Sequence, residues 1–322
     1  MSTLNTNPEY SEEYEDKPLP LKLYDKWDDE DDLILKHKLE ALINGNITPD
    51  QAAIDLDTII TNDMNQKHEA LMKRPDPRNP TPEEEAQGAN MYCIMPHPRR
   101  WIEPLFHAIA RLCSSFPPYH PGQTRIIDCL KALKALPRHD LYSGLPPEDP
   151  NEPYRTVTLW PIEGNWEAVA EIFDYEHVYV LAPYRWRNFN SFIARLTCSN
   201  LINCGFLSSL REILPSDREY PDLAKRPIDG PNKLGNYMLG AAQWIMWPDE
   251  CRYVYEQCKR YESVSGPREM WSMERWREWK RQFAFVAGDG RFAQKYRDVA
   301  ERAYRQILMV EEENLTVRRT EE

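Results

Sequence analysis

Glycine is scarce in this chain, at 12 residues in 322 against 27 prolines. Hairpin turns draw heavily on glycine for positive φ, so the shortage argues against a β architecture. Long apolar runs are missing too. No stretch of about 18 apolar residues occurs, and the opening MSTLNTNPEYSEEYEDK has neither a basic n-region nor an apolar h-region, which speaks against membrane spanning and secretion. The seven cysteines are odd in number, lack C-x-x-C spacing and fall in part inside apolar helical patterns. They read as reduced, buried thiols, which places the protein in the cytoplasm with the nucleus left open. G-x-S-x-G, G-x-G-x-x-G, the P-loop pattern and H-E-x-x-H are all absent, so serine-hydrolase, dinucleotide, nucleotide-phosphate and zinc-protease readings lose support. No cofactor and no metal is implied.

What charge there is lies at the ends. Residues 1–32 hold eleven acids against three lysines (net −8) and residues 311–322 five acids against two arginines (net −3), so of the total of −12 the body between carries −1. A near-neutral body offers no electrostatic footprint for nucleic acid. The organisation this implies is a disordered acidic tail over 1–32, one all-α domain over 33–310 and a C-terminal tail over 311–322.

Helical periodicity fills that body. Leu35, Leu39, Leu42 and Ile43 share a face that Gly45 ends, and Thr48-Pro49-Asp50-Gln51 then offers a capping Thr, a Pro at N1 and a Gln at N3. Trp101, Leu105, Ile109 and Leu112 mark a third helix and Ile126, Ile127, Leu130 and Leu133 a fourth, with Pro-rich connections over 75–100 and 137–161. His177-Val178-Tyr179-Val180-Leu181 alone has strand-like composition. Near the end, Trp276, Trp279, Phe283 and Val286, the turn Gly288-Asp289-Gly290, and a stripe from Phe292 to Ile307 predict an antiparallel helical hairpin. The fold class is therefore all-α, a single multi-helix bundle-like domain with long Pro-rich loops.

Candidate chemistry is thin. Asp28-Asp29-Glu30-Asp31-Asp32 satisfies the D-D-x-x-D pattern by which all-α terpene synthases hold magnesium, yet it precedes the first helix, and Asn62-Asp63 lacks the hydroxyl and Glu of the second metal triad, so it reads as a solvated acidic stretch. Seven scattered histidines show no zinc spacing. His97 and His107 bracket the start of an aromatic helix, where a metal or acid-base role stands against the commoner reading of ordinary structural or surface histidines. The positive signal is aromatic: eight of ten tryptophans fall between residues 160 and 279, interleaved with polar side chains. Buried indoles need a partner for their N–H, either from the core or from a ligand in a mixed cavity.

The pattern Arg185-Trp186-x-Asn188-x-Asn190-x-Phe192-x-Ala194-Arg195-Leu196-Thr197, then Ala241-Ala242-x-Trp244-Ile245, then Met273-Glu274-Arg275-Trp276-x-x-Trp279-Lys280 resembles a family of filamentous-fungal proteins of unknown function. The resemblance spans about residues 33–310. It implies an all-helical cytosolic protein with relatives encoded in secondary-metabolite gene clusters, and supplies no catalytic residues. Two functions are open on this footing. One is a small-molecule protein of secondary metabolism, a cofactor-independent cyclase or isomerase that holds an apolar substrate in an aromatic pocket walled by Trp186, Asn190, Arg195, Trp244 and Trp276. The other is a helical adaptor or regulator without catalytic activity. The expected partner is thus an apolar small molecule or a protein, and neither nucleic acid nor a membrane.

Overall fold

A computed structural model describes residues 15–149, 151–161, 163–177, 182–215, 225, 234–266 and 269–321. Helices dominate it, as the sequence implies, and gather into two compact units. One comprises Leu21–Leu112 and Pro121–Glu176; the other takes in the described residues before Leu21, Cys113–His120, and those from His177 onward.

The first unit opens with α1 (Glu30–Ile43) and α2 (Pro49–Met72). The acidic run expected to lie in the tail instead starts α1: Asp29 is the N-cap, accepting from the Asp32 amide, and Asp32 reaches back to the Asp29 amide. Three acids in the first turn also lie where the helix dipole favours negative charge. Leu35, Leu39, Leu42 and Ile43 bury one face. The helix ends in a Schellman arrangement, with Asn46 N–H donating to Ala41 O and Gly45 N–H to Leu42 O, and Gly45 takes the required positive φ of 76°. Thr48 caps α2 as its sequence predicts, and Ala52, Ala53, Leu56, Ile60, Met64 and Leu71 face inward.

After the short α3 (Pro82–Ala86) and α4 (Met91–Ile94) come α5 (Arg99–Cys113) and α6 (Pro121–Ala135). The indole of Trp101 on α5 donates to Asp63 on α2 at 2.7 Å. Within the stretch expected as a Pro-rich loop, β1 (His139–Tyr142) and β2 (Thr156–Leu159) pair antiparallel, with His139 opposite Leu159 and Tyr142 opposite Thr156. Trp160, just past β2, donates its indole N–H to Asp57 at 2.8 Å. The last helix of this unit is α7 (Glu167–His177). Of the run read as strand-like, 178–181 lie outside the described residues.

The second unit is built around α8 (Pro183–Cys198), in which 14 of the 16 residues are buried. Around it stand α9 (Leu234–Ala241), α10 (Pro248–Cys258), α11 (Met273–Gly288) and α12 (Gln294–Glu321). Pro248 restarts the chain as α10, and α11 and α12 form the expected hairpin, burying Trp276, Trp279, Phe283 and Val286 against Ala300, Ala303, Ile307 and Val310. The helix does not stop at 310. Glu311 accepts from the Trp276 indole at 2.9 Å and from Lys280 at 2.5 Å, tying the next turn down. Five of the seven cysteines are buried, and burial pushes the Cys129 and Cys258 thiols up to about 12, leaving them inert as nucleophiles.

Candidate functional site

The five residues proposed for an aromatic pocket divide into three places. Trp186, Asn190 and Trp244 come together. Asn190 Oδ1 accepts from the Trp244 indole and from the Ser209 amide, both at 3.0 Å, while its Nδ2 donates to Trp186 O at 3.0 Å. The Trp186 indole donates to Ser209 Oγ at 2.8 Å. The α8 backbone presents Asn190 one turn after Trp186, which is why one amide can serve its own helix and a facing indole together. Trp276 stands apart on α11, held by Glu311. Arg195 lies at the end of α8 with its guanidinium over the Tyr119 ring, 4.6 Å from the centroid. Each of these three indole N–H groups thus has a protein acceptor, where a ligand-lined pocket would leave some of them for the ligand.

A concave site is present in the other unit, between α5 and α7. The two helices pack through Phe106 and Phe173, whose ring centroids are 6.3 Å apart. Beside that contact a cleft of about 390 Å³ opens, with an apolar wall of Ile102, Pro161, Ala168, Val169, Ile172 and Tyr175 and a polar one of Arg99, Glu103, His107, Glu163, Asn165 and Glu171. A second hollow of about 300 Å³ adjoins it, sharing His107 and Tyr175 and adding the 23–36 segment. A third, of about 250 Å³, shares Arg99 and Glu163.

Chemistry concentrates where the first two hollows meet. Glu176, 1% exposed, is held by Arg111 through two bonds, Nε to Oε2 at 2.7 Å and Nη2 to Oε1 at 2.9 Å. His107 Nδ1 stands 2.9 Å from Oε1, an ion-pair approach in which the ring is turned away from an aligned hydrogen bond. Burial alone would raise the Glu176 carboxyl, but His107 and Arg111 outweigh it and hold the group below the usual carboxylate range. The pair therefore presents an imidazole backed by a buried carboxylate on the wall of a partly apolar cleft. An imidazole on such a wall is placed to exchange a proton with a molecule bound in the cleft.

Of these residues, sequence reasoning singled out His107 and missed Glu176 and Arg111. The signal for Glu176 was available: Val169, Ala170, Phe173 and Glu176 follow helical spacing, so an acid occupies a buried face. A buried acid demands a cation, and Arg111 falls on the same side of α5 as His107, one turn on.

The Asp28–Asp32 run is committed to capping α1, and among the described residues no group of three His, Cys, Asp or Glu side chains could hold a metal ion. No helix among the described residues is long and apolar enough to cross a membrane. No curated protein and no solved structure matches the chain. One family model does, over residues 105–283, a stretch that takes in His107, Arg111 and Glu176 as well as the indole cluster of α8. That match covers more than half of the chain, which thus belongs to the DUF3632 family, described as proteins of unknown function.

Proposed function

We propose that the protein binds a small molecule with an apolar body in the α5–α7 cleft and moves a proton on it through His107. The observation that carries this reading is the buried Glu176, which fixes Arg111 and approaches His107 at the edge of a cavity large enough for a small ligand. The chemistry this suits is an isomerisation or cyclisation without a cofactor. His107 takes a proton from one position of the substrate and returns one to another, so no electrons are gained or lost and no co-reactant is consumed. The apolar wall of Ile102, Val169 and Ile172 supplies burial, and each fully covered CH₂ contributes roughly 0.8 kcal/mol. A place in secondary metabolism, the setting suggested by the sequence resemblance, fits such a reaction.

The test is metabolite profiling by mass spectrometry of the source strain lacking the gene, resupplied with wild-type protein or with His107→Asn. One compound should accumulate in the deletion and an isomer of equal mass should vanish. The wild type should reverse this, and His107→Asn, present in equal amount and with an unchanged melting curve, should not. Full rescue by His107→Asn would overturn the assignment. A whole pathway falling silent together would favour the adaptor reading instead.

A further inference from the structure

The third hollow, which shares Arg99 and Glu163 with the apolar cleft, says what kind of small molecule to expect. Three ionised groups line it, Arg99, Arg155 and Glu163. Arg99 has a partner in Glu103, at 3.2 Å one turn along α5. Arg155 and Glu163 have none: among the described residues neither side chain makes a hydrogen bond or an ion pair, with the other or with any third group. His97 lines the hollow too, its Nδ1 buried without a hydrogen-bond partner. It adds no charge, since burial above all holds its pKa below the usual value. One guanidinium and one carboxylate are thus left on the wall of the same space, too far apart to pair.

Both rise from fixed backbone. Ser143 N–H donates to Arg155 O at 2.9 Å, which lengthens the β1–β2 ladder by one pair, and Gly144 N–H donates to Pro96 O at 2.8 Å, which ties that end of the hairpin to the residues before α5. Glu163 N–H donates to Thr158 O at 2.7 Å, and Glu163 takes a φ of 56°, a left-handed conformation that glycine or asparagine adopts at less cost. Opposite charges that line one concavity without meeting are complementary to a molecule that carries both signs close together. A guanidinium takes a carboxylate through two parallel N–H···O bonds, and a carboxylate takes an ammonium. An α-amino acid holds that pair on a single carbon. Because Glu163 and Arg99 also line the α5–α7 cleft, the side chain on that carbon has an apolar space to enter.

We propose that the ligand of this site is an α-amino acid with an apolar side chain, its carboxylate on Arg155, its ammonium on Glu163 and its side chain in the α5–α7 cleft beside His107. The inference rests on the small-molecule reading above and deepens it.

Calorimetric titration of the full-length protein at pH 7 and low salt compares 2-aminooctanoate with octanoate and octylammonium, which have the same chain but one charge each. 2-Aminooctanoate should bind about fivefold more tightly than either, because each of the others sets its charge beside a like one and leaves the opposite one unanswered. Arg155→Gln should weaken 2-aminooctanoate severalfold and strengthen octylammonium. Glu163→Gln should weaken 2-aminooctanoate severalfold and strengthen octanoate. Both side chains are exposed and unbonded, so both variants should fold, and a gain for one ligand beside a loss for another does not arise from misfolding. Ala168→Trp, which fills the apolar cleft, should weaken all three. Octanoate or octylammonium binding as tightly as 2-aminooctanoate, and still lost in Ala168→Trp, overturns the amino acid and leaves the cleft standing. So does tighter binding of 2-aminooctanoate that neither Arg155→Gln nor Glu163→Gln reduces. Failure of all three ligands to bind at millimolar concentration overturns both ideas.

Discussion

Replacing Asn190 by alanine distinguishes a packed indole cluster from a ligand pocket. The side chain is fully buried and its Oδ1 satisfies two donors, the Trp244 indole and the Ser209 amide. Asn190→Ala leaves both without an acceptor. Each buried donor deprived of its partner costs about 1–3 kcal/mol, so the pair costs about 2–6 kcal/mol before any loss of packing. Against a typical total of about 5–15 kcal/mol this is a large fraction. Urea unfolding followed by tryptophan fluorescence should show the midpoint falling by about 1–2 M, given slopes of a few kcal/mol per molar. A double-mutant cycle with Trp244→Phe should return a coupling of about 1–3 kcal/mol, since the phenyl ring no longer needs the acceptor. A loss below about 1 kcal/mol would refute the reasoning. It would mean that water reaches the Trp244 N–H when Asn190 is gone, so that space exists beside it, and Trp186, Asn190 and Trp244 would return as pocket walls.

Two further outcomes follow from the same unit. A Cβ on Gly240 would lie 2.7 Å from Trp186 Nε1 and 2.9 Å from Ser209 Oγ, and since those two atoms are bonded to each other neither yields freely. Gly240→Ala should therefore cost about 1–3 kcal/mol by urea titration, and a neutral substitution would show that the indole can move aside. Glu250 is 3% exposed, accepts from the Tyr119 hydroxyl at 2.6 Å and leaves Oε2 without a partner, and burial pushes its carboxyl above the ordinary value. A carboxyl raised on folding makes the protein lose stability as pH climbs from the unfolded pKa through the folded one. Glu250→Gln should hence unfold at higher urea than the wild type at pH 8 and show no such advantage at pH 4. An advantage independent of pH would place its origin elsewhere.

Local signals were the legible part of the fold. Thr48-Pro49-Asp50-Gln51 announces α2 because capping needs only neighbouring residues, and the stripe from Trp276 to Val286 announces α11 because one buried face repeats every turn. The acidic run from Asp28 was misread because a cap and a solvated stretch share a composition; the difference is whether Asp32 bonds back to Asp29. The β1–β2 pairing was hidden because it joins residues about 17 apart across a Pro-rich loop, with no alternation long enough to register. At the candidate site, His107 could be suspected from its place on an aromatic helix. The carboxylate and guanidinium that give it a role come from Glu176 and Arg111, 65 residues apart. For the indoles, the sequence established that their N–H groups need acceptors. Asn190 and Ser209, drawn from a helix interior and a loop, are what the fold supplied.

The route of the chain bears on how the protein is made. Arg185 at the start of α8 donates to Pro20 O, 165 residues earlier, and Asn188 to Ser114 O, 74 residues earlier. On the ribosome, the residues around Pro20 and Ser114 emerge long before the helix that completes their bonding. The unit spanning Leu21–Leu112 and Pro121–Glu176 has all its residues in hand by then, so it can settle while the early pieces of its neighbour wait. Nascent chains arrested when residues up to 176 have just left the ribosome and α8 has not should be the species that chaperones hold and proteases cut at 15–20.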